Sequence, residues 1–195
     1  RLLTATSLAI AAATATLVHA GALEDGLLAS AAVRLDQKGV EIALRKGAKA
    51  THDLPHPDAP TVIRTPVQFA LSAIISSEDT DAPQRAERIL RTLFKSGAKL
   101  TGDKDELFPV IAGGHARLLS LLLEQGANPH ARIYGYTPAE LAIKYNQQQL
   151  LPLLYARGVA KVDAETTAQI QFVDAASRQR LAAMQAAIAS GAKVN

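Results

Sequence analysis

Five times along this chain an apolar stretch stops at a glycine followed by a small apolar residue: Gly47-Ala48, Gly97-Ala98, Gly126-Ala127, Gly158-Val159 and Gly191-Ala192. The glycine-to-glycine intervals are 50, 29, 32 and 33 residues. Recurrence at this period means supersecondary units that cannot bury their apolar faces alone and stack on their own kind. Glycine suits the end of a helix, because a left-handed residue there satisfies the last carbonyls without a Cβ penalty. The composition agrees: 48% of residues are hydrophobic, 4% are aromatic and none is Trp. Alanine and leucine carry most of the apolar content, which favours close-packed helices over sheet. That content is enough to bury a core, so a disordered chain is not the expectation.

The unit is most complete from Gly114 onward. Leu118, Leu119, Leu122 and Leu123 recur at i, i+1, i+4 and i+5, the apolar stripe of an amphipathic helix. Gly126-Ala127-Asn128-Pro129 closes that helix, and residues 130–136 form a turn-rich connection. Thr137-Pro138 opens the next helix, with proline in the first turn where it costs no hydrogen bond. Leu141-Ala142 follows, then Leu150, Leu151 and Leu154 of a second helix before Gly158. Pro152 falls inside that second helix and is expected to bend it or delay its start.

This succession of Gly-His, Leu-Leu, Gly-Ala-Asn-Pro, Gly135-Tyr136-Thr137-Pro138 and Leu141-Ala142 resembles the landmarks of the ankyrin repeat family. The resemblance implies an all-α fold, a solenoid of about five helix-pair repeats with degenerate first and last repeats. Each pair is antiparallel, a hairpin projects between pairs, and the stack has a concave binding face. The resemblance covers about residues 24–195, as repeats at about 24–50, 51–100, 101–129, 130–161 and 162–195. Leu28, Ala31 and Ala32 with Val40 and Leu44 mark the first repeat, and Phe172, Ala175, Ala176 and Met184 mark the last. The last reaches Asn195 where a further hairpin would begin, so the chain either continues or lacks a terminal cap.

The repeats depart from one another in length. Thr65-Pro66 is a second helix start, but Thr65 to Gly97 is 32 residues where Thr137 to Gly158 is 21. The 11 extra residues are expected between the two helices, at Ser76 to Pro83. Gly47 to Thr65 is likewise 18 residues against 11 for Gly126 to Thr137, which places about seven extra residues in the hairpin. The histidine that the family carries after Thr-Pro is Gln68 in one repeat and Glu140 in the other. Its tie to the threonine hydroxyl is therefore expected to be missing, and the stack less regular and less stable.

The first twenty residues read differently from the rest. After Arg1, residues 2–18 carry no charge, and Leu17-Val18-His19-Ala20 precedes the first acidic residues, Glu24 and Asp25. A basic start, an apolar run and small residues before a polar segment match a bacterial secretory signal, with a cut expected ahead of Gly21. An uncleaved membrane anchor and an ordinary buried helix are the alternatives; the run is short for a span and holds four threonines. The signal reading makes the protein periplasmic or secreted, and a membrane association follows only if the segment stays uncleaved.

Most chemistry is excluded by what the sequence lacks. With 21 Lys+Arg against 18 Asp+Glu and no basic cluster, nucleic acid is not the expected partner. Zero cysteines remove disulfides, thiolate zinc sites and a cysteine nucleophile. No nucleophile elbow, zinc-protease helix, phosphate loop or dinucleotide fingerprint occurs, so no enzyme, cofactor or small-molecule substrate is expected. Glu78-Asp79-Thr80-Asp81 lacks the glycine and distal glutamate of a calcium loop. His115, at the Gly-His that opens a second helix, is expected to be structural.

The expected function is recognition of another protein. Ankyrin partners are held by hairpin tips and the exposed end of the first helix, which the resemblance carries over to Ile133, Tyr134, Tyr136, Lys144 and Tyr145. Three of the four tyrosines are among these five residues, and tyrosine is enriched at interfaces. The proline-stiffened stretch 51–64, with His52, His56 and Arg64, is the second expected contact surface. Its His-x3-His spacing, with Asp53 and Asp58 nearby, leaves one alternative: a metal-dependent enzyme on a helical scaffold. Against it, three prolines between 55 and 60 forbid the helix that would bring both imidazoles to one face. A periplasmic toxin-immunity protein and a stress-related adaptor both fit the leading reading.

Overall fold

The computed structural model describes residues 21–102 and 104–194. Segment 1–20, with the export signal expected there, lies outside the described residues. The chain divides into two compact units at Lys99/Leu100.

In the first unit, helix α1 (21–33) and α2 (Gln37–Arg45) precede an antiparallel hairpin, β1 (Leu54–His56) and β2 (Ala59–Arg64). Helices α3 (Pro66–Ser76) and α4 (Ala82–Lys95) follow. Leu28, Val40, Phe69, Leu71, Ile89 and Leu93 are buried at its centre. The second unit holds three helix pairs: α5 (Lys104–Ala112) with α6 (Ala116–Glu124), α7 (Pro138–Lys144) with α8 (Leu151–Tyr155), and α9 (Ala164–Ser177) with α10 (Leu181–Ala189). Its core is Val110, Ile111, Leu119, Leu122, Ile133, Leu150 and Leu154. The described residues are thus mainly helical, with the one two-stranded sheet.

The glycine recurrence has a single structural cause. At Gly47, Gly97, Gly126, Gly158 and Gly191 φ lies between +81° and +108°, closing α2, α4, α6, α8 and α10. The following residue donates its N–H to the carbonyl five residues back, as Ala127 does to Leu122 at 2.9 Å and Ala48 to Ala43 at 3.0 Å. This is the Schellman closure, and it requires φ above zero at the glycine. The residue after the glycine is 7% exposed in every case, which explains why alanine or valine stands there.

A second turn recurs that the sequence conceals. Between the helices of a pair, Leu35, Gly114, Asn146 and Gln179 all have φ from +52° to +72°. The next amide again reaches five residues back: Asp36 to Ala31, His115 to Val110, Gln147 to Ala142 and Arg180 to Ala175, at 2.7–2.9 Å. Three of these four residues are not glycine, so the tight turn is imposed by the packing of the pair.

The length differences resolve into hairpin and helix. The extra residues before Thr65 form the β1–β2 hairpin, paired Leu54 with Arg64 and Pro55 with Ile63. The insertion expected as a loop at residues 76–83 is mostly helix: α3 has 11 residues against 7 in α7, and α4 has 14 against 5 in α8. Only residues 77–81 connect α3 to α4. Composition marked the break but not the extra turns, because Ile74, Ala82 and Ala86 find burial that lengthens both helices. Pro152 delays its helix as expected: a 3-10 turn (Gln148–Leu150) comes first, and proline takes an early position in α8.

The Thr-Pro starts are secured by a different set of bonds from the family histidine's. Thr65 Oγ1 accepts from the Gln68 N–H at 3.2 Å, while Gln68 Oε1 accepts from the Thr65 N–H at 3.0 Å. Thr137 and Glu140 repeat the arrangement at 3.2 and 2.7 Å. Glutamine and glutamate thus close a reciprocal capping box, which secures each helix start through the threonine backbone N–H.

Candidate functional site

The turn before α7 is built from four residues, Ile133 to Tyr136. The Ile133 N–H donates to the Tyr136 carbonyl at 2.8 Å, and the Tyr136 N–H returns to the Ile133 carbonyl at 3.0 Å. Both residues between them have positive φ, Tyr134 at +52° and Gly135 at +86°, as a type I′ hairpin turn demands. Gly135 meets that demand without cost, but tyrosine in the left-handed region is strained by roughly 1–2 kcal/mol. Tyr134 is also 56% exposed, so burial at the tip does not explain its presence. Strain of this kind concentrates at functional positions.

The expected contact residues separate by burial. Ile133 is corrected: it is fully buried and anchors the turn to the core, because a two-residue hairpin has too few bonds to hold itself. Tyr134, Tyr136, Lys144 and Tyr145 come together. Lys144 Nζ stands 4.2 Å from the centroid of the Tyr136 ring, a cation–π contact. Phe108, on α5, packs edge-to-face with both Tyr134 and Tyr145, with ring centroids 5.3 and 5.7 Å apart and planes near perpendicular. Such edge-to-face pairs are worth about 0.5–1.5 kcal/mol each and hold rings in place without burying them completely. Phe108 was not singled out in the sequence. It stands roughly one repeat before Tyr145, and that offset is the signal that marks residues stacked side by side.

Lys144 and Tyr145 also border a groove of about 410 Å³. Its other walls are Gln171 and Asp174 of α9 and Ala183 and Ala186 of α10, with Arg178 and Arg180 in the turn between those helices and Ser190 just past the end of α10. The Asp174 carboxylate binds Arg178 Nε at 3.0 Å through one oxygen and an Arg180 terminal nitrogen at 2.7 Å through the other.

In the first unit, His52 and His56 do not converge. His52 Nδ1 lies 3.1 Å from the Asp25 carboxylate, which also accepts the Lys49 N–H at 2.7 Å and so fastens the start of the hairpin to α1. The His56 ring packs edge-on against buried Phe69 at 5.5 Å, and its Nδ1 accepts the Asp58 N–H at 3.1 Å. Each imidazole therefore has its own structural partner, and among the described residues no three His, Asp or Glu side chains gather as metal ligands. Arg64 is half-buried at the end of β2, while Val62 and Ile63 beside it are exposed. His115 is the residue before α6 and makes no side-chain cap; burial holds its pKa below the ordinary histidine value of 6.5.

No family model matches the sequence, and no curated protein matches it. The fold itself is known. The crystal structure of the human ASB11 ankyrin repeat domain superposes with a TM-score of 0.55 at 18% sequence identity, covering 86% of this chain and 70% of that one.

Proposed function

We propose, from an ankyrin-repeat fold bearing a strained and exposed tyrosine turn, that the chain binds a protein partner through the second unit. The surface consists of Tyr134, Tyr136, Lys144 and Tyr145 with Phe108 beneath them. Repeat folds of this type present extended surfaces to other proteins and carry no catalytic group by virtue of the fold. One observation carries the reading: Tyr134 keeps a large aromatic side chain exposed at a backbone position that disfavours any side chain. Rigid, half-ordered aromatic clusters are what interface hot spots are made of. The charge-free run of residues 2–18 supports export, which makes the partner a periplasmic or extracellular protein. A toxin to be neutralised and a stress-related enzyme to be assisted both meet that description.

The test compares the full chain with its Tyr134→Ala/Tyr136→Ala variant as baits in extract of the native host. Proteins retained by the wild type are identified and their affinities then measured with purified components. The expected result is a partner bound at least tenfold more weakly by the variant, about 1.4 kcal/mol or more, with helicity unchanged. Equal retention by both baits would refute the reading.

A further inference from the structure

We infer that the groove beside Tyr145 receives an acidic segment of the partner, and that the Asp174–Arg178–Arg180 cluster is its recognition device. The inference rests on the protein-binding reading above and names the chemistry of what is bound.

The charged residues lining the groove are Lys144, Asp174, Arg178 and Arg180, three cations and one carboxylate. The carboxylate side chain is only 14% exposed, whereas both arginine side chains are 52% exposed. Asp174 thus sits behind the guanidinium groups and pins each through a different oxygen, at 3.0 and 2.7 Å. Guanidinium carries five N–H donors in a fixed fork, and one bond to Asp174 leaves the others of each arginine to serve an incoming anion. Pinning also removes side-chain freedom in advance, so less is lost when that anion arrives.

The groove walls select a segment of protein over a small ion. Ala183 and Ala186 of α10 and Ser190 at its end recur along one face and leave room for a chain to lie against the helix. About 410 Å³ admits several side-chain groups, far more than one carboxylate fills. Tyr145 lines the groove and also belongs to the Phe108 cluster, so the cationic groove adjoins the aromatic surface. An acidic stretch with an adjoining apolar or aromatic residue satisfies both halves, the charges fixing register and the rings supplying burial.

Selection of a random dodecapeptide library on the immobilised full chain tests this. Enriched peptides are expected to be rich in Asp and Glu, to lose at least tenfold in affinity when those residues become Asn and Gln, and to weaken as salt rises. Arg178→Gln/Arg180→Gln should cost a similar factor. Ala183→Glu, an exposed helix position, sets on the groove wall a carboxylate that repels an acidic peptide and competes with it for the arginines, with Asp174, Arg178 and Arg180 all retained, and should have the same effect even if the double variant folds poorly. No enrichment, neutral or basic peptides, peptides that bind Ala183→Glu undiminished, or peptides displaced by equimolar free glutamate would each overturn the inference. A native partner lost by Tyr134→Ala/Tyr136→Ala but held fully by Ala183→Glu overturns the acidic groove alone and leaves the protein-binding reading standing.

Discussion

The hairpin before α3 and the turn before α7 occupy the same place in their repeats, each immediately ahead of a Thr-Pro capping box, and they expose opposite kinds of residue. The longer one holds itself together with a β-ladder and buries only Leu54 among its strand residues, leaving Val62 and Ile63 outward. The shorter one has a single bridge, so it must bury Ile133, and it turns Tyr134 outward at a strained φ. Prolines mark a further difference. Pro55 and Pro60 remove N–H donors from both strands of the long hairpin, which discourages pairing with a strand of another chain. Its exposed aliphatics are therefore protected against indiscriminate association, whereas the short turn offers rings that are already held in position. Length decides which residues a hairpin must use as anchors, and the remainder is what it can show to a partner.

The largest expected break in this comparison is at the anchors. Ile133→Ala should destabilise the chain by about 2–5 kcal/mol, the usual cost of truncating a fully buried aliphatic side chain. Ile63→Ala, at a residue 63% exposed, should change stability by less than about 0.5 kcal/mol. Chemical denaturation of the two variants reads the contrast; similar losses would mean that the two hairpins are anchored alike.

A smaller effect isolates the strain at the tip. Tyr134→Gly and Tyr134→Ala remove the same contact with Phe108, but only alanine keeps a Cβ in the left-handed region. The glycine variant should be the more stable by about 1 kcal/mol, visible as a higher denaturation midpoint. Equal midpoints would show that the turn relaxes away from its positive φ, and the case for a retained functional tyrosine would weaken with it.

The smallest effect concerns the turns within the helix pairs. In the first unit Asp36 caps α2, accepting the Gly39 N–H at 3.1 Å, while its counterpart His115 caps nothing and is partly buried instead. Burial lowers the folded-state pKa of His115, so below about pH 6.5 the unfolded chain takes up the proton first. Stability is then complete above the unfolded pKa and declines as pH falls towards the folded one. Melting temperatures recorded from about pH 8 to about pH 5 should fall less for His115→Gln than for the wild type. A variant whose pH profile matches the wild type in slope would remove His115 from the account.

Much of the fold was legible because its signals are local. Glycine before alanine marks a helix closure and Thr-Pro marks a helix start, so helix ends could be placed without knowing any neighbour, although the capping boxes completed by Gln68 and Glu140 emerge only in the structure. The candidate site was legible only in part. Tyrosines near a turn stood out, but Ile133 shares their sequence neighbourhood and faces the other way, and Phe108 has no local mark at all.

The sequence by itself determined that the chain is a repeat of helix pairs, where its hairpins lie, and which repeats are lengthened, since these follow from backbone conformations that few residue types tolerate. Only the tertiary structure decided that Leu35, Asn146 and Gln179 adopt the turn made by Gly114, that Phe108 meets Tyr134 and Tyr145, and that Asp174 gathers two arginines beside them. Those outcomes depend on packing between helices. Stacking supplies the energy to hold a side chain in a disfavoured φ and brings residues a full repeat apart into contact, and no short stretch of sequence contains either term.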